Sequence, residues 1–313
     1  MTTTYFDKYP RGWFVVAYSH EVETNAVKSL EYFGQRLVAF RDSNDTLAIL
    51  DAYCPHLGAD MGVGAEVKDN CLRCPFHAWK FDSTGACTDV PYAKKIPPKA
   101  KVRSWPVQER NGLIFIWHDP EQQPADYDIP IIEEYTSDHW LPWSTNELII
   151  KTHPREVVEN VADKAHFPTV HNTHVDSFEN IYKDHTATQV TAGVAYPRGG
   201  GKDNFSLRAT YYGPAYQVSR MDGVLQSIFF QAHTPIDFNT LELRFGVSLQ
   251  ASGNLSKMAG FAEQYVQNLT TGYHEDVTIW ENKRYVARPV LADGDGPIAK
   301  LRKWYRQFYE PRK

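Results

Sequence analysis

Cysteine is scarce in this chain: four in 313 residues. That is too few for a disulfide framework, so a reducing compartment is expected. No apolar run approaches the roughly eighteen residues of a membrane span, so none is expected. The opening Met1-Thr2-Thr3-Thr4-Tyr5-Phe6-Asp7-Lys8 has neither a basic n-region nor an apolar h-region. No secretory signal is read there, and the location reads as cytoplasmic. A surplus of either charge is missing too: 33 Lys and Arg against 38 Asp and Glu give −5, which excludes the basic footprint of a nucleic-acid binder. Repeats and low-complexity tracts are lacking. The run Gly199-Gly200-Gly201-Lys202-Asp203 is not a phosphate loop, because a Walker motif needs Ser or Thr where Asp203 stands. What the chain does hold, 42% hydrophobic and 13% aromatic residues, is enough for a real core and a ring-lined pocket.

Two short runs concentrate the metal-binding chemistry: Cys54-Pro55-His56-Leu57-Gly58 and Cys74-Pro75-Phe76-His77. The spacing is C-x-H, seventeen residues, then C-x2-H. Two thiolates for one iron and two imidazoles for the other are the donor set of a Rieske 2Fe–2S cluster. The competing reading is a Cys2His2 zinc site. A proline after each cysteine, and Gly58 where a tight ligand loop turns, favour the cluster. Respiratory-chain Rieske proteins resemble this site but carry an extra cysteine in each loop, where this chain has Ala59 and Phe76. In those proteins the two extra cysteines form a disulfide; without that bridge, and with a pI near 6.2, the potential is expected near the low end of the Rieske range, roughly −150 mV. Cys71 makes a formal C-x2-C with Cys74 and reads as a buried bystander.

Residues 12–118 read as short strands, among them 13–17, 36–40, 47–50 and 113–117, with turn signals at 42–45 and Asn111-Gly112. The Pro- and acid-rich stretch 119–124 reads as a boundary, giving a small all-β domain over 1–120 and a second domain over 121–313. In the second, Leu241, Leu243, Phe245, Val247 and Leu249 alternate with Glu242, Arg244, Gly246 and Ser248, which predicts a strand with one buried and one wetter face. Strands are expected at 205–212 and 225–232, and a long helix at 257–284.

Glu159, Asp163, His166 and His171 form E-x3-D-x2-H-x4-H. On a continuous helix the first three fall within about 60° of one another. Pro168 is expected to end that helix and let His171 swing back. Two His plus one carboxylate is the facial triad of non-haem Fe(II) enzymes. In the long C-terminal helix Asp276 lies within about 40° of Tyr265, Leu269, Tyr273 and Trp280. An acid on an apolar stripe is costly unless it is paired or coordinating, so Asp276 is the expected third ligand. Glu275 points about 100° away, and His174 is the rival of His171. Asp163 either fixes a ligand imidazole or is a solvated helix acid.

The two motifs, in this order over essentially the whole chain, resemble the oxygenase component of a Rieske non-haem iron oxygenase. Closer still is the 3-ketosteroid 9α-hydroxylase group of sterol-ring oxygenases, through 9–13, 51–54, 90–93, 275–280 and 301–309. That group usually runs on past the last segment, whereas this chain stops at Lys313.

The resemblance implies an α+β protein, a Rieske domain followed by a helix-grip (START-like) domain with an antiparallel sheet around a long helix. It implies Cys54, His56, Cys74 and His77 on the cluster, and His166, His171 and Asp276 on a mononuclear Fe(II). Asp163 would be the catalytic acid linking the two centres of neighbouring subunits in a homotrimer. The implied reaction is O2-dependent hydroxylation of a hydrophobic ring or steroid substrate. With no dinucleotide fingerprint and no plant-type ferredoxin spacing in the chain, a separate NAD(P)H-dependent ferredoxin-type reductase is expected. Lys94, Lys95, Lys99, Lys101 and Arg103 either steer that partner or form a solvated rim. Tyr211, Tyr216, Met221, Phe229, Phe230 and Phe245 are pocket or plain core. Desaturation, demethylation and aromatic-ring hydroxylation would use the same ligands. Outside that class stand an electron-carrying Rieske ferredoxin and a lipid-binding module with a dead metal site.

Overall fold

The computed structural model describes residues 7–196, 201–223, 225–251 and 255–312, with side chains at 255–259 and 269 outside the description. The chain divides into two compact units, residues 14–125, and residues 126–313 together with the first thirteen.

The 14–125 unit is all β. Its strands are β1 (Gly12–Tyr18), β2 (Val27–Tyr32), β3 (Gln35–Arg41), β4 (Leu47–Asp51), β5 (Glu66–Lys68) and β6 (Cys71–Arg73). There follow β7 (Lys80–Phe81), β8 (Cys87–Asp89), β9 (Ser104–Trp105), β10 (Val107–Arg110) and β11 (Leu113–His118). They form three small sheets ordered β1-β11-β10, β2-β3-β4-β9 and β5-β6-β7-β8. Tight hairpins set the registers. Asn111 and Gly112 between β10 and β11 both take positive φ, 57° and 76°, the backbone that matches the twist of flanking strands. The core joins Val38, Phe40, Leu50, Met61, Leu72 and Phe81 to the thiols of Cys54 and Cys74, so the ligand loops grow directly out of packed apolar residues.

The second unit carries β12 (Ser144–Ile150), α1 (Pro154–Glu159), α2 (His166–Val170), β13 (Thr173–Lys183), β14 (Thr186–Ala195) and β15 (Asp203–Tyr212). It continues with β16 (Tyr216–Asp222), β17 (Ser227–Pro235), β18 (Leu241–Leu249), α3 (Leu255–Trp280) and α4 (Ile298–Arg306). Seven antiparallel strands run in the order β12-β18-β17-β16-β15-β14-β13. The helix α3 packs on β12 and β18 through Ala262, Val266 and Trp280 against Leu243, Phe245 and Val247. This is the sheet-around-helix arrangement expected. On α4 and just after it, Leu301, Trp304, Tyr305, Phe308 and Tyr309 pack against Val158, Val161 and Ala162, which fixes the segment bearing the first histidine.

Four expectations change. The strand 241–249 is buried on both faces, Glu242 and Arg244 included, because β18 is interior to the sheet. Arg244 meets Glu242 at 2.9 Å and Glu147 at 2.9 Å, so its charge is paired where water was expected. The helix over 159–166 is broken: α1 stops at Glu159 and α2 starts at His166. Pro168 does not end α2 but lies inside its first turn, where a missing N–H costs nothing. The long helix stops at Trp280 rather than Arg284, where Thr152 Oγ1 donates to the Trp280 carbonyl and Asn282 Nδ2 to that of Thr278, satisfying two of the last-turn acceptors. In the 199–203 run, Gly199 and Gly200 lie outside the described residues, and Asp203 opens β15.

Candidate metal centres

Two loops of matching design bring together the first donor set. The Cys54 amide donates to the Ala59 carbonyl at 2.9 Å and the Gly58 amide to the Cys54 carbonyl at 2.9 Å. In the second loop the Cys74 amide donates to Trp79 at 2.8 Å and the Ala78 amide to Cys74 at 3.1 Å. Each loop turns through one left-handed residue, Gly58 at φ 78° and Ala78 at φ 62°, the first supplied by the residue type with no steric cost there. Both thiols are buried, and burial pushes the Cys54 thiol up to about 11. The His56 and His77 rings lie 4.6 Å apart, and His56 stacks flat on Trp79 at 4.6 Å. His56 Nδ1 is buried with no hydrogen-bond partner among the described residues. An unpaired buried imidazole nitrogen beside two buried thiols is costly unless it ligates, so these donors fit a Rieske cluster. Cys71 is only half-buried, its Sγ 3.4 Å from Thr88 Oγ1. Lys94, Lys95, Lys99 and Lys101 are exposed, and Arg103 lies over the Trp105 ring.

The second set is assembled from far-apart elements. His166, His171 and Asp276 offer ligand atoms that all lie within 4.8 Å of one another. His166 Nδ1 donates to the Asp163 carbonyl at 2.7 Å. A carbonyl can only accept, so that proton is fixed on Nδ1 and the lone pair is left on Nε2. The Asp163 carboxylate accepts from the amides of Ala165 at 3.0 Å and His166 at 3.3 Å. Burial works to raise this carboxyl, but the hydrogen bonds from His166 and Ala165 outweigh it and hold it low. His171 Nε2 is 3.4 Å from Asp276 Oδ2, while its Nδ1 is 3.7 Å from Glu275 Oε2. Sequence reasoning assigned Glu275 to the polar side of the helix and missed that it flanks the His171 imidazole. The signal was its adjacency to Asp276. Glu159 is not in the cluster and pairs with Arg302 and Lys283. His174 stands away on β13, exposed, beside Asp176.

The 159–166 segment is anchored on several sides. Lys164 N donates to Asp295 O at 3.1 Å, and Trp280 Nε1 to Asn160 Oδ1 at 3.3 Å. Gly296, at φ 91°, lets the chain pass so close that a Cβ there would sit 2.1 Å from the Ala162 carbonyl.

Comparison with known proteins assigns two domains along the chain. Residues 12–106 match the Rieske [2Fe-2S] domain, and residues 116–309 match the 3-ketosteroid 9α-hydroxylase C-terminal domain. The chain belongs to the 3-ketosteroid 9α-hydroxylase oxygenase family. It is 38% identical to a 3-ketosteroid-9-alpha-monooxygenase oxygenase component of Rhodococcus rhodochrous, over 96% of this chain and 82% of that protein. It is 33% identical to the one of Mycobacterium tuberculosis, over 96% and 82%. A cholesterol 7-desaturase of Ciona intestinalis is 32% identical over 96% of this chain and 69% of its own length. The crystal structure of dicamba monooxygenase bound to dicamba shares the fold, with a TM-score of 0.80 at 20% identity over 95% of this chain and 96% of that one. The chain is therefore an enzyme, the oxygenase component of a Rieske-type monooxygenase system.

In this family member the His166, His171 and Asp276 cluster opens into a cleft of about 170 Å³ between α1, α2, α3 and the inner face of the sheet. Val157, Val161, Phe167, Leu207, Phe229 and Trp280 supply its apolar lining, the character of a small-molecule site. Of the aromatic candidates, Tyr211 and Phe229 line it. Phe245 packs on Tyr273 and Phe230 on Trp143, and Tyr216 is buried on the opposite face of β16 from the cleft-lining Gln217. Met221 Sδ lies 3.9 Å from Tyr265 Oη. Among the described residues no helix is long and apolar enough to cross a membrane.

Proposed function

We propose that the chain is the terminal oxygenase of a multicomponent monooxygenase that hydroxylates a 3-ketosteroid or a close ring analogue. The observation that carries this is the convergence of His166, His171 and Asp276 at a largely apolar cleft. Two imidazoles and one carboxylate would hold Fe(II) with positions left open, and Cys54, Cys74, His56 and His77 would hold the cluster. When bound, the iron supplies O2 activation and the cluster supplies single electrons from a separate NAD(P)H-dependent ferredoxin-type reductase.

The protein does the rest. The Asp163 backbone carbonyl aims the His166 imidazole through a hydrogen bond, and the Glu275 carboxylate sits 3.7 Å from His171 Nδ1, where its charge biases that ring. Phe167, Phe229 and Trp280 exclude water and hold a ring system against the ligand cluster. Asp163 is assigned as the acid linking the centres of neighbouring subunits in a homotrimer. Supporting that role, one carboxylate oxygen is committed to the His166 and Ala165 amides while the side chain stays 37% exposed. Cysteines that form no disulfide suit a cytoplasmic enzyme of lipid metabolism.

The similarity to a cholesterol 7-desaturase favours a second reading, removal of two hydrogens by the same ligands. A single turnover separates them. Iron-replete, chemically reduced protein is mixed with 4-androstene-3,17-dione and O2, and the product is weighed. A gain of one oxygen atom supports hydroxylation, a loss of two hydrogens supports desaturation, and cluster oxidation without product discards this substrate.

A further inference from the structure

The cleft wall is more polar than an apolar ring system requires, and the polar residues are not equivalent. On the inner face of the sheet, Ala187, Tyr211, Gln217, Gln231 and Phe245 form one cross-strand row. Gln189, Ala209, Ser219, Phe229 and Val247 form the next. Most of the polar members are engaged with one another. Tyr273 Oη donates to Gln231 Oε1 at 2.6 Å, Gln231 Nε2 to Tyr211 Oη at 2.9 Å, and Gln189 Nε2 to Thr191 Oγ1 at 2.7 Å.

Gln217 and Ser219 differ. Both line the cleft, they are only 7% and 1% exposed, and neither side chain is among the buried polar atoms closed off from the cleft. Lying two apart on β16, they stand on the same face, in adjacent rows. Their amide and hydroxyl therefore open onto the cleft with donors uncommitted to the protein, available to a ligand that offers an acceptor. Beside them, Ala209 is small and leaves room.

We propose that Gln217 and Ser219 form a polar seat for a carbonyl oxygen of the substrate, and so set which ring compounds the cleft accepts. Both can donate, through the amide N–H and the hydroxyl, and a carbonyl oxygen has two lone pairs to receive them. A hydrocarbon ring leaves both donors unpaired. A carboxylate is disfavoured, because no Lys or Arg is among the described residues lining the cleft. The seat deepens the ring-ketone part of the proposed function and rests on it, so its test uses steroid and non-steroid pairs.

Binding to the holoprotein is measured by equilibrium dialysis for 4-androstene-3,17-dione against androst-4-en-3-one and androst-4-en-17-one, and for 1-tetralone against tetralin. The wild type, Gln217→Leu and Ser219→Ala are compared, with thermal midpoint and cluster absorbance as controls for folding. The wild type is expected to favour the ketone of a pair by about tenfold or more. Gln217→Leu should abolish that preference and Ser219→Ala should reduce it. In turnover, KM for the diketone should rise with kcat less affected. A ketone preference kept by both variants, or absent from the wild type, overturns the seat. If steroids neither bind nor react while the tetralone pair behaves as expected, the steroid reading fails and the seat stands.

Discussion

The two metal stations are built in opposite ways. Cys54, His56, Cys74 and His77 come from two short loops of one small unit, each closed by its own backbone hydrogen bonds and one left-handed residue. His166 and His171 sit on or at the end of a five-residue helix, while Asp276 comes from the long helix beyond the whole sheet. Local contacts close with little loss of chain entropy, whereas distant ones must be held by the rest of the fold. The first station is a property of its loops. The second is a property of the domain, and it depends on residues such as Asn160, Asp295 and Gly296 that touch no ligand atom.

The comparison can be broken at either end. Cys74→Ser should erase the visible absorption and electron paramagnetic resonance of the cluster and take turnover to background. The iron at the second station should remain at about one per chain, since its donors are untouched. Asp276→Ala should do the reverse: iron falls from about three to about two per chain, the cluster spectrum is unchanged, and O2 uptake stops. If Asp276→Ala turned over normally, the ligand assignment would be wrong. Glu275→Gln leaves all three donors in place but loosens His171, so iron affinity or activity should drop roughly 10- to 100-fold, read by iron titration. Gly296→Ala, at the smallest end, forces a Cβ toward the Ala162 carbonyl in a left-handed conformation. It should destabilise the second unit by about 1–3 kcal/mol in denaturant unfolding, with no change in the cluster spectrum.

The same local-against-distant contrast explains what could be read from the sequence. The cluster loops were legible because spacing and turn residues carry the geometry. Asp276 stood out because an acid on an apolar helical stripe needs a reason, and its carboxylate lies beside both histidines. The break between Glu159 and His166 was not legible: the i, i+4 pattern continues through it. From Asn160 to Asp163 the backbone donates to i−3 carbonyls instead, and Lys164 then donates to Asp295, far along the chain, while the Asp163 carboxylate accepts from the Ala165 amide. Glu275 was missed because a helical projection ranks directions from the axis and does not place the neighbouring loop. Burial of Glu242 and Arg244 was missed for the same reason, since the alternation of β18 cannot reveal that Glu147 on β12 covers it.

The strand β16 contributes no metal donor, yet it presents Gln217 and Ser219 to the cleft. Selectivity and reactivity therefore occupy separate stretches of chain. Drift at two codons could retune what enters while the chemistry is inherited intact, so a lineage could explore new ring compounds without passing through an inactive ancestor. For protein engineering, β16 is the stretch to randomise first.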